Sequence, residues 1–347
     1  MTLKKMIHGL VWMLTLGCTS MAYAQVDVHV METEELRVEL TADIGGRVLA
    51  VHLKDHENFL KVGEAVKTHP SPDVNENTGF IPYLGHESWI GPQSAWWTEQ
   101  KLNEARRRQK ATWPPDPFLV VAPNNLVEKT ATHMVMQTPD SPISGVALRK
   151  TFAVDTAAKN RVNLKLEGTN ISDEAVSWDL WFNTRVHADT QVYVPVVTES
   201  DVRVTNFIDA QADGLDYSIN DGILSLNITP PTGKKTWRHG KLFIQPAEGW
   251  LAGFRNGQVL IIRFPLQPLK HIHPEQGQVE LYHDYRPQAV NQGMLEMEVH
   301  GIFRTLAPGE TMSATEQWTL LAYDGPDTHE ARIAFLRDNL PQIERIE

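Results

Sequence analysis

Cysteine is nearly absent from this chain: Cys18 is the single one among 347 residues. A disulfide framework is thereby excluded, and stability must come from a hydrophobic core, which a chain of this length can bury. Basic residues are outnumbered by acids, 32 to 43. That balance excludes a broad phosphate-binding surface and, with it, nucleic acid as a partner. Past the first two dozen residues no apolar run approaches membrane-spanning length, so no membrane span is expected in the mature chain. The sequence also lacks a nucleophilic serine elbow, a phosphate-binding glycine loop and a dinucleotide fingerprint. His271 and His273 stand two apart, with His283 and His300 further on, a spacing too loose to specify a metal site. No metal and no cofactor are expected.

What is present begins with an export signal. Lys4 and Lys5 form a positive start, residues 6–17 are apolar, and Ala22-Tyr23-Ala24 supplies the small-x-small pattern that a signal peptidase accepts. Cleavage after Ala24 and a periplasmic or secreted location are the expectation. Leu16-Gly17-Cys18 is similar to a lipoprotein cleavage site, but Thr15 stands where a leucine is usual, which makes a lipid anchor at Cys18 the weaker reading. Residues 1–24 carry two lysines and no acid, so their removal takes the net charge from −11 to −13.

Residues 25–347 read as one domain, since neither a low-complexity linker nor a fixed-period repeat interrupts them. The dominant period is two. Glu35-Leu36-Arg37-Val38-Glu39-Leu40 alternates, as do Arg161-Val162-Asn163-Leu164-Lys165-Leu166 and Gln278-Val279-Glu280-Leu281. Asp213-Gly214, Asn256-Gly257 and Pro308-Gly309 supply turn chemistry between such runs. The pattern predicts an all-β sandwich or barrel with few short helices. Residues 61–117 lack a strand series and read as a long excursion with one short helix. At the other end, Ile333, Phe335-Leu336 and Leu340 fall at helical spacing and predict a C-terminal helix docked on the domain.

Strand parity makes three segments informative. From Trp178 to His187 one face carries Asp179, Trp181, Asn183, Arg185 and His187. From Leu295 to His300 one face carries Glu296, Glu298 and His300. From Val279 to Arg286 it carries Glu280, Tyr282, Asp284 and Arg286. A merely wet face favours lysine, glutamate and threonine, whereas these mix carboxylates with imidazole, guanidinium, amide and aromatic groups. That mixture suits a sugar, whose hydroxyls take bidentate polar partners and whose C–H face takes an aromatic platform. The excursion adds Trp89, Trp96, Trp97 and Trp113, candidates for walls over such a face.

Ile44-Gly45-Gly46-Arg47-Val48 with Glu57-Asn58-Phe59-Leu60 resembles the opening hairpin of galactose mutarotase-like domains. Gly85-His86-Glu87-Ser88-Trp89 with Trp113-Pro114-Pro115-Asp116 resembles an uncharacterised bacterial branch of that superfamily. Leu295 to Gly301, Leu306-Ala307-Pro308-Gly309-Glu310 and Trp318 look like its closing strands. The resemblance implies a large antiparallel β-supersandwich with a concave face for a mono- or oligosaccharide. It implies acid–base chemistry at the anomeric carbon, with Glu296 as base (Glu298 its rival) and His187 as acid, and substrate contacts from Arg47, His86, Trp89, Trp113, Trp181, Asn183, Arg185, Glu298 and His300. The mutarotases place an Asn directly before their histidine, whereas Asn183 and His187 are four residues apart. Two alternatives stay open: a non-catalytic sugar-binding or structural module of an envelope glycan pathway, and a polysaccharide lyase using Tyr282 or a histidine as base.

Overall fold

A computed structural model describes residues 26–346. The export signal, the cleavage point after Ala24 and Cys18 lie outside the described residues. Two large sheets form the domain. In the front sheet the neighbouring strands run His29–Glu32, Leu36–Thr41, Arg47–Leu53, His86–Gly91, Val176–Val186, Met294–His300, Val279–Tyr285, Trp237–Ile244 and Val202–Asn206. The back sheet is built from ten strands, from Tyr217–Asn220 at one edge to Asn125–Lys129 at the other. Pairing is antiparallel throughout, save for the short Ala212–Asp213 segment, which runs parallel beside Trp237–Ile244.

The alternation in the sequence sets which side chains fill the space between the sheets. On Arg161–Asn170, Val162, Leu164 and Leu166 are buried while Asn163 and Lys165 are exposed. On Val176–Val186, Leu180 reaches across to the back sheet, where Gly168 leaves room for it: a Cβ there would lie 3.0 Å from the Leu180 methyl. Met297, on the next strand, likewise meets Gly253 of the back sheet. Leu180, Phe182 and Val186 therefore point inward with Leu295, Met297 and Val299, and each buried aliphatic or aromatic side chain contributes ~1.5–3 kcal/mol. By parity, Asp179, Trp181, Asn183 and Arg185 point the other way, together with Glu296, Glu298 and His300.

Two departures from the sequence reading concern the excursion. It contains a true strand, His86–Gly91, whose six residues are all buried. With its inner face in the core and its outer face under tryptophans, the segment shows no wet alternation from which a strand could be read. Besides the expected helix, at Glu104–Gln109 and capped by Asn103, the excursion holds a second short one at Ala65–Thr68. Gly45 and Gly46 both have positive φ, +82° and +58°, and a Cβ on Gly45 would lie 2.1 Å from the Val120 carbonyl. Only glycine fits this turn, which delivers Arg47 into its strand. At the end of the chain the helix His329–Asn339 lays Ile333 and Leu336 against Tyr193 and Phe254 of the back sheet. Among the described residues no helix is long and apolar enough to cross a membrane.

Candidate functional site

The outward face of the front sheet gathers the polar residues of five adjacent strands into rows. One row runs across the strands from Arg185 to Glu296, Tyr282 and Lys241, each directly opposite the next. The row beside it runs Asn183, Glu298, Glu280 and Phe243. A third places Trp89 opposite Trp181 and Trp181 opposite His300. The three faces read from the sequence thus lie side by side.

An ion-pair network of alternating sign runs through these rows. Arg47 Nη2 lies 3.0 Å from Glu87, Glu87 also pairs with Arg185, and Arg185 Nε donates to Glu296 Oε1 at 2.6 Å. Further along, Lys241 Nζ stands 2.6 Å from Glu280 and 2.7 Å from Glu298. His300 Nε2 lies 3.4 Å from Glu280, and its Nδ1 lies 3.1 Å from Asp179. Burial alone would discharge these groups, but their partners outweigh it. Glu280 is pulled down to about 2: burial opposes the shift, and the positive charges of Lys241 and His300 overcome it. His300 is raised to about 9 against its burial, because Glu280 and Asp179 face it. Glu298 goes the other way. Burial and the adjacent Glu296 and Glu280 hold it well above the usual carboxylate range, despite Lys241.

Tryptophans cover one end of this floor. The rings of Trp89 and Trp181 lie 4.9 Å apart, Trp96 stacks on Trp181 at 5.9 Å, and Trp113 meets Trp89 at 6.0 Å and Phe80 at 4.8 Å. The Arg185 guanidinium sits 5.0 Å above the Trp89 ring, and the Lys241 ammonium 4.9 Å above that of Trp181. Trp89, Trp96 and Trp181 are buried, whereas Trp113 is 47% exposed and forms the lip. Trp181 Nε1, Arg185 Nη2 and Asn183 Oδ1 are buried and have no hydrogen-bond partner. Unpaired buried polar atoms are costly.

The structure distributes the expected site residues unevenly. Glu296, Arg185, Asn183, Glu298, His300, Trp181, Trp89 and Trp113 come together on this face. Arg47 joins it only as a buried clamp, bonded to the carbonyls of Ile44, Leu84 and Val120 as well as to Glu87. His86 does not join: three residues from Trp89 on one strand, it points inward, with Nδ1 2.9 Å from Thr184 Oγ1 and its ring edge-on to Trp318 of the back sheet. His187 follows the end of its strand. Its charged neighbours are Arg255, Lys61, Asp189 and Glu57, and burial with Arg255 and Lys61 lowers it to about 4. No hydrogen bond or ion pair among the described residues links it to Glu296. Lys241 and Glu87 were not singled out from the sequence, although the alternation of His239, Lys241 and Phe243 would have placed Lys241 on an outward face.

Donor atoms of Glu280, Glu298 and His300 lie within 4.8 Å of one another, as a metal site would require. The Lys241 ammonium already stands between the two carboxyls, so a divalent cation would have to displace it and take the proton from His300.

The two large antiparallel-dominated sheets have the galactose mutarotase-like fold. The chain belongs to the family described as a domain of unknown function, DUF4380, whose model matches residues 26–321. No functionally curated protein matches it. Among solved structures it is similar to the Slr1438 protein from Synechocystis sp. PCC 6803, at 11% identity and a TM-score of 0.53, covering 86% of this chain and 98% of that one. It is also similar to a galactose mutarotase-like protein from Clostridium acetobutylicum, at 9% identity and a TM-score of 0.49, covering 87% and 97%. A galactose mutarotase-like protein from Lactobacillus casei matches at 11% and 0.47, covering 85% and 100%.

Proposed function

We infer that the protein binds a carbohydrate on the outward face of the front sheet, with Glu296 at the centre of the site. The observation that carries this reading is the floor itself: Arg185, Glu296, Tyr282 and Lys241 in one cross-strand row beneath the exposed ring of Trp113. Such a row offers hydroxyls paired donors and acceptors, and the ring offers a platform for the C–H face. The signal-like start, Lys4 and Lys5 followed by residues 6–17 and Ala22-Tyr23-Ala24, supports export, and a mature amino terminus at Gln25 in the periplasmic or secreted fraction is the check.

A second reading, turnover of an aldose at its anomeric carbon, is favoured by one feature. Glu296 is a carboxylate directly opposite Tyr282, and that phenol keeps its proton well above the ordinary range through burial and the charges of Glu296 and Asp284. A base and a hydroxyl then stand on neighbouring strands; the phenol, which holds its proton tightly and meets His239 Nε2 at 2.7 Å, would serve the ring oxygen as a hydrogen-bond donor rather than as a strong acid. Titration calorimetry against glucose, galactose and their oligomers tests binding, and polarimetry of freshly dissolved sugar tests turnover. Binding without mutarotation leaves a non-catalytic module; absence of both refutes the carbohydrate assignment.

A further inference from the structure

The ionic floor has a second aromatic wall on the side away from Trp113. Past the end of the edge strand Val202–Asn206, Phe207 donates its backbone N–H to the His239 carbonyl at 3.0 Å and so continues the outward face. Its ring lies 4.8 Å from His239 and 6.4 Å from Tyr282, yet it is 42% exposed. The Tyr282 hydroxyl is 2.7 Å from His239 Nε2, which fixes both rings. Trp237, two residues before His239 and on the same face by parity, lies under the Arg286 guanidinium at 5.0 Å. A large exposed ring held against His239 and Tyr282 is what a sugar-stacking subsite needs.

From the His86–Gly91 strand under Trp113 to the edge strand that leads into Phe207 there are five strand spacings, about 24 Å at ~4.8 Å each. A pyranose unit advances roughly 5 Å along a glycan, about one such spacing, so the walls are several sugars apart. The charges between the walls add a second constraint. Arg185 faces Glu87 and Glu296, Lys241 faces Glu280 and Glu298, His300 faces Asp179 and Glu280, and Arg286 faces Asp284. Each of these cations is already met by a carboxyl group. Arg203, exposed on the edge strand over Phe243, is bonded to the Glu275 carbonyl, and no carboxyl partner of it is found among the described residues. The floor between the walls therefore offers no free charge to a uronate.

We propose that the site takes a neutral oligosaccharide laid across the strands, with one sugar on Trp113, the next units over Glu296 and Tyr282, and a distal sugar on Phe207. The proposal rests on the carbohydrate reading above and goes beyond it in assigning a second subsite and a ligand class. It also sets aside the lyase alternative, which needs cations for a uronate carboxylate.

The test is calorimetry of the full chain with neutral gluco-, galacto-, manno- and N-acetylglucosamine saccharides of one to six units, and with uronate oligomers as the charged arm. The expected result is affinity rising at least about tenfold from monosaccharide to tetrasaccharide, the scale of one stacked sugar. Phe207→Ala should lose at least about fivefold on the tetrasaccharide and leave monosaccharide binding unchanged, while Trp113→Ala weakens both. Because Phe207 is exposed, an unchanged melting temperature should confirm that the variant is folded; Trp237→Ala is the second probe of the same wall. Equal affinity for mono- and tetrasaccharide, indifferent to Phe207, overturns the second subsite but leaves the carbohydrate reading intact. Preference for uronate oligomers overturns the neutral class. No binding to any saccharide overturns both the proposal and the reading beneath it.

Discussion

The ammonium of Lys241 lies 2.6 Å from the carboxylate of Glu280, on a face where Glu280, Glu296 and Glu298 crowd two adjacent strands. Glu298 answers that crowding by holding its proton above the ordinary range, through burial and its acidic neighbours, so Lys241 is left chiefly to neutralise Glu280. Removing one partner of a buried pair leaves an uncompensated charge, which costs about 3–5 kcal/mol. Lys241→Met should therefore destabilise the fold by about that amount in urea unfolding, and adding Glu280→Gln should recover part of the loss because the two residues are coupled. A Lys241→Met protein as stable as the parent would show that the pair is not formed.

His300 makes stability depend on alkaline pH. Its folded pKa of about 9 lies above the ordinary 6.5, because Glu280 and Asp179 outweigh the opposing effect of burial. A group raised in this way contributes fully below pH 6.5, and that contribution is lost as pH climbs through 9. The shift corresponds to on the order of 3 kcal/mol. Urea midpoints should fall between pH 6.5 and 9 in the parent, and the slope should flatten in His300→Gln. Proton NMR of the imidazole gives the direct check: a midpoint near the ordinary value would refute the ion pair.

Parity explains how much of this site was legible in the sequence. Period two is local, so the outward sets on Asp179 to Arg185, Glu280 to Asp284 and Glu296 to His300 could be read without knowing which strands are neighbours. The adjacency that makes them one site is not local. It depends on pairings such as Glu296 with Arg185, 111 residues apart, for which a single sequence carries no signal. The resemblance implies contacts from both His86 and Trp89; once their segment is a strand buried on both faces, their odd spacing separates them. His187 shares parity with Arg185 but lies past the last paired residue, where position along the strand, not side, sets it among Arg255 and Lys61.

Trp113 and Trp89 touch but should respond differently to substitution. Trp89 is buried among Trp96, Trp181 and the Arg185 guanidinium, and its replacement by alanine should cost about 3–5 kcal/mol. Trp113 is the half-exposed lip, so Trp113→Ala should cost less, about 1–2 kcal/mol from its lost ring contacts, while weakening saccharide binding. Chemical denaturation and calorimetry on both variants separate the two effects. If Trp113→Ala binds like the parent, the lip does not contact ligand.

Glu296 and His187 were expected to share the proton transfer, and among the described residues no hydrogen bond or ion pair links them. His187 is lowered to about 4 by burial and the positive charges of Arg255 and Lys61, so at pH 7 it is neutral and has no proton to deliver. Tyr282, directly opposite Glu296, keeps its proton well into the alkaline range through burial and the charges of Glu296 and Asp284. If the protein turns over an aldose, Glu296→Gln and Tyr282→Phe should each lower the mutarotation rate by about 10²–10⁴-fold, the range for loss of a positioned acid or base. His187→Ala should leave the rate near that of the parent, and the rate should show no acid limb near pH 4 that His187→Ala abolishes. Polarimetry across pH 3.5 to 9, set beside circular dichroism of each variant, decides the matter. Loss of activity in a folded His187→Ala protein, with Tyr282→Phe still active, would return the acid role to the histidine and would require the end of its strand to close over the sugar.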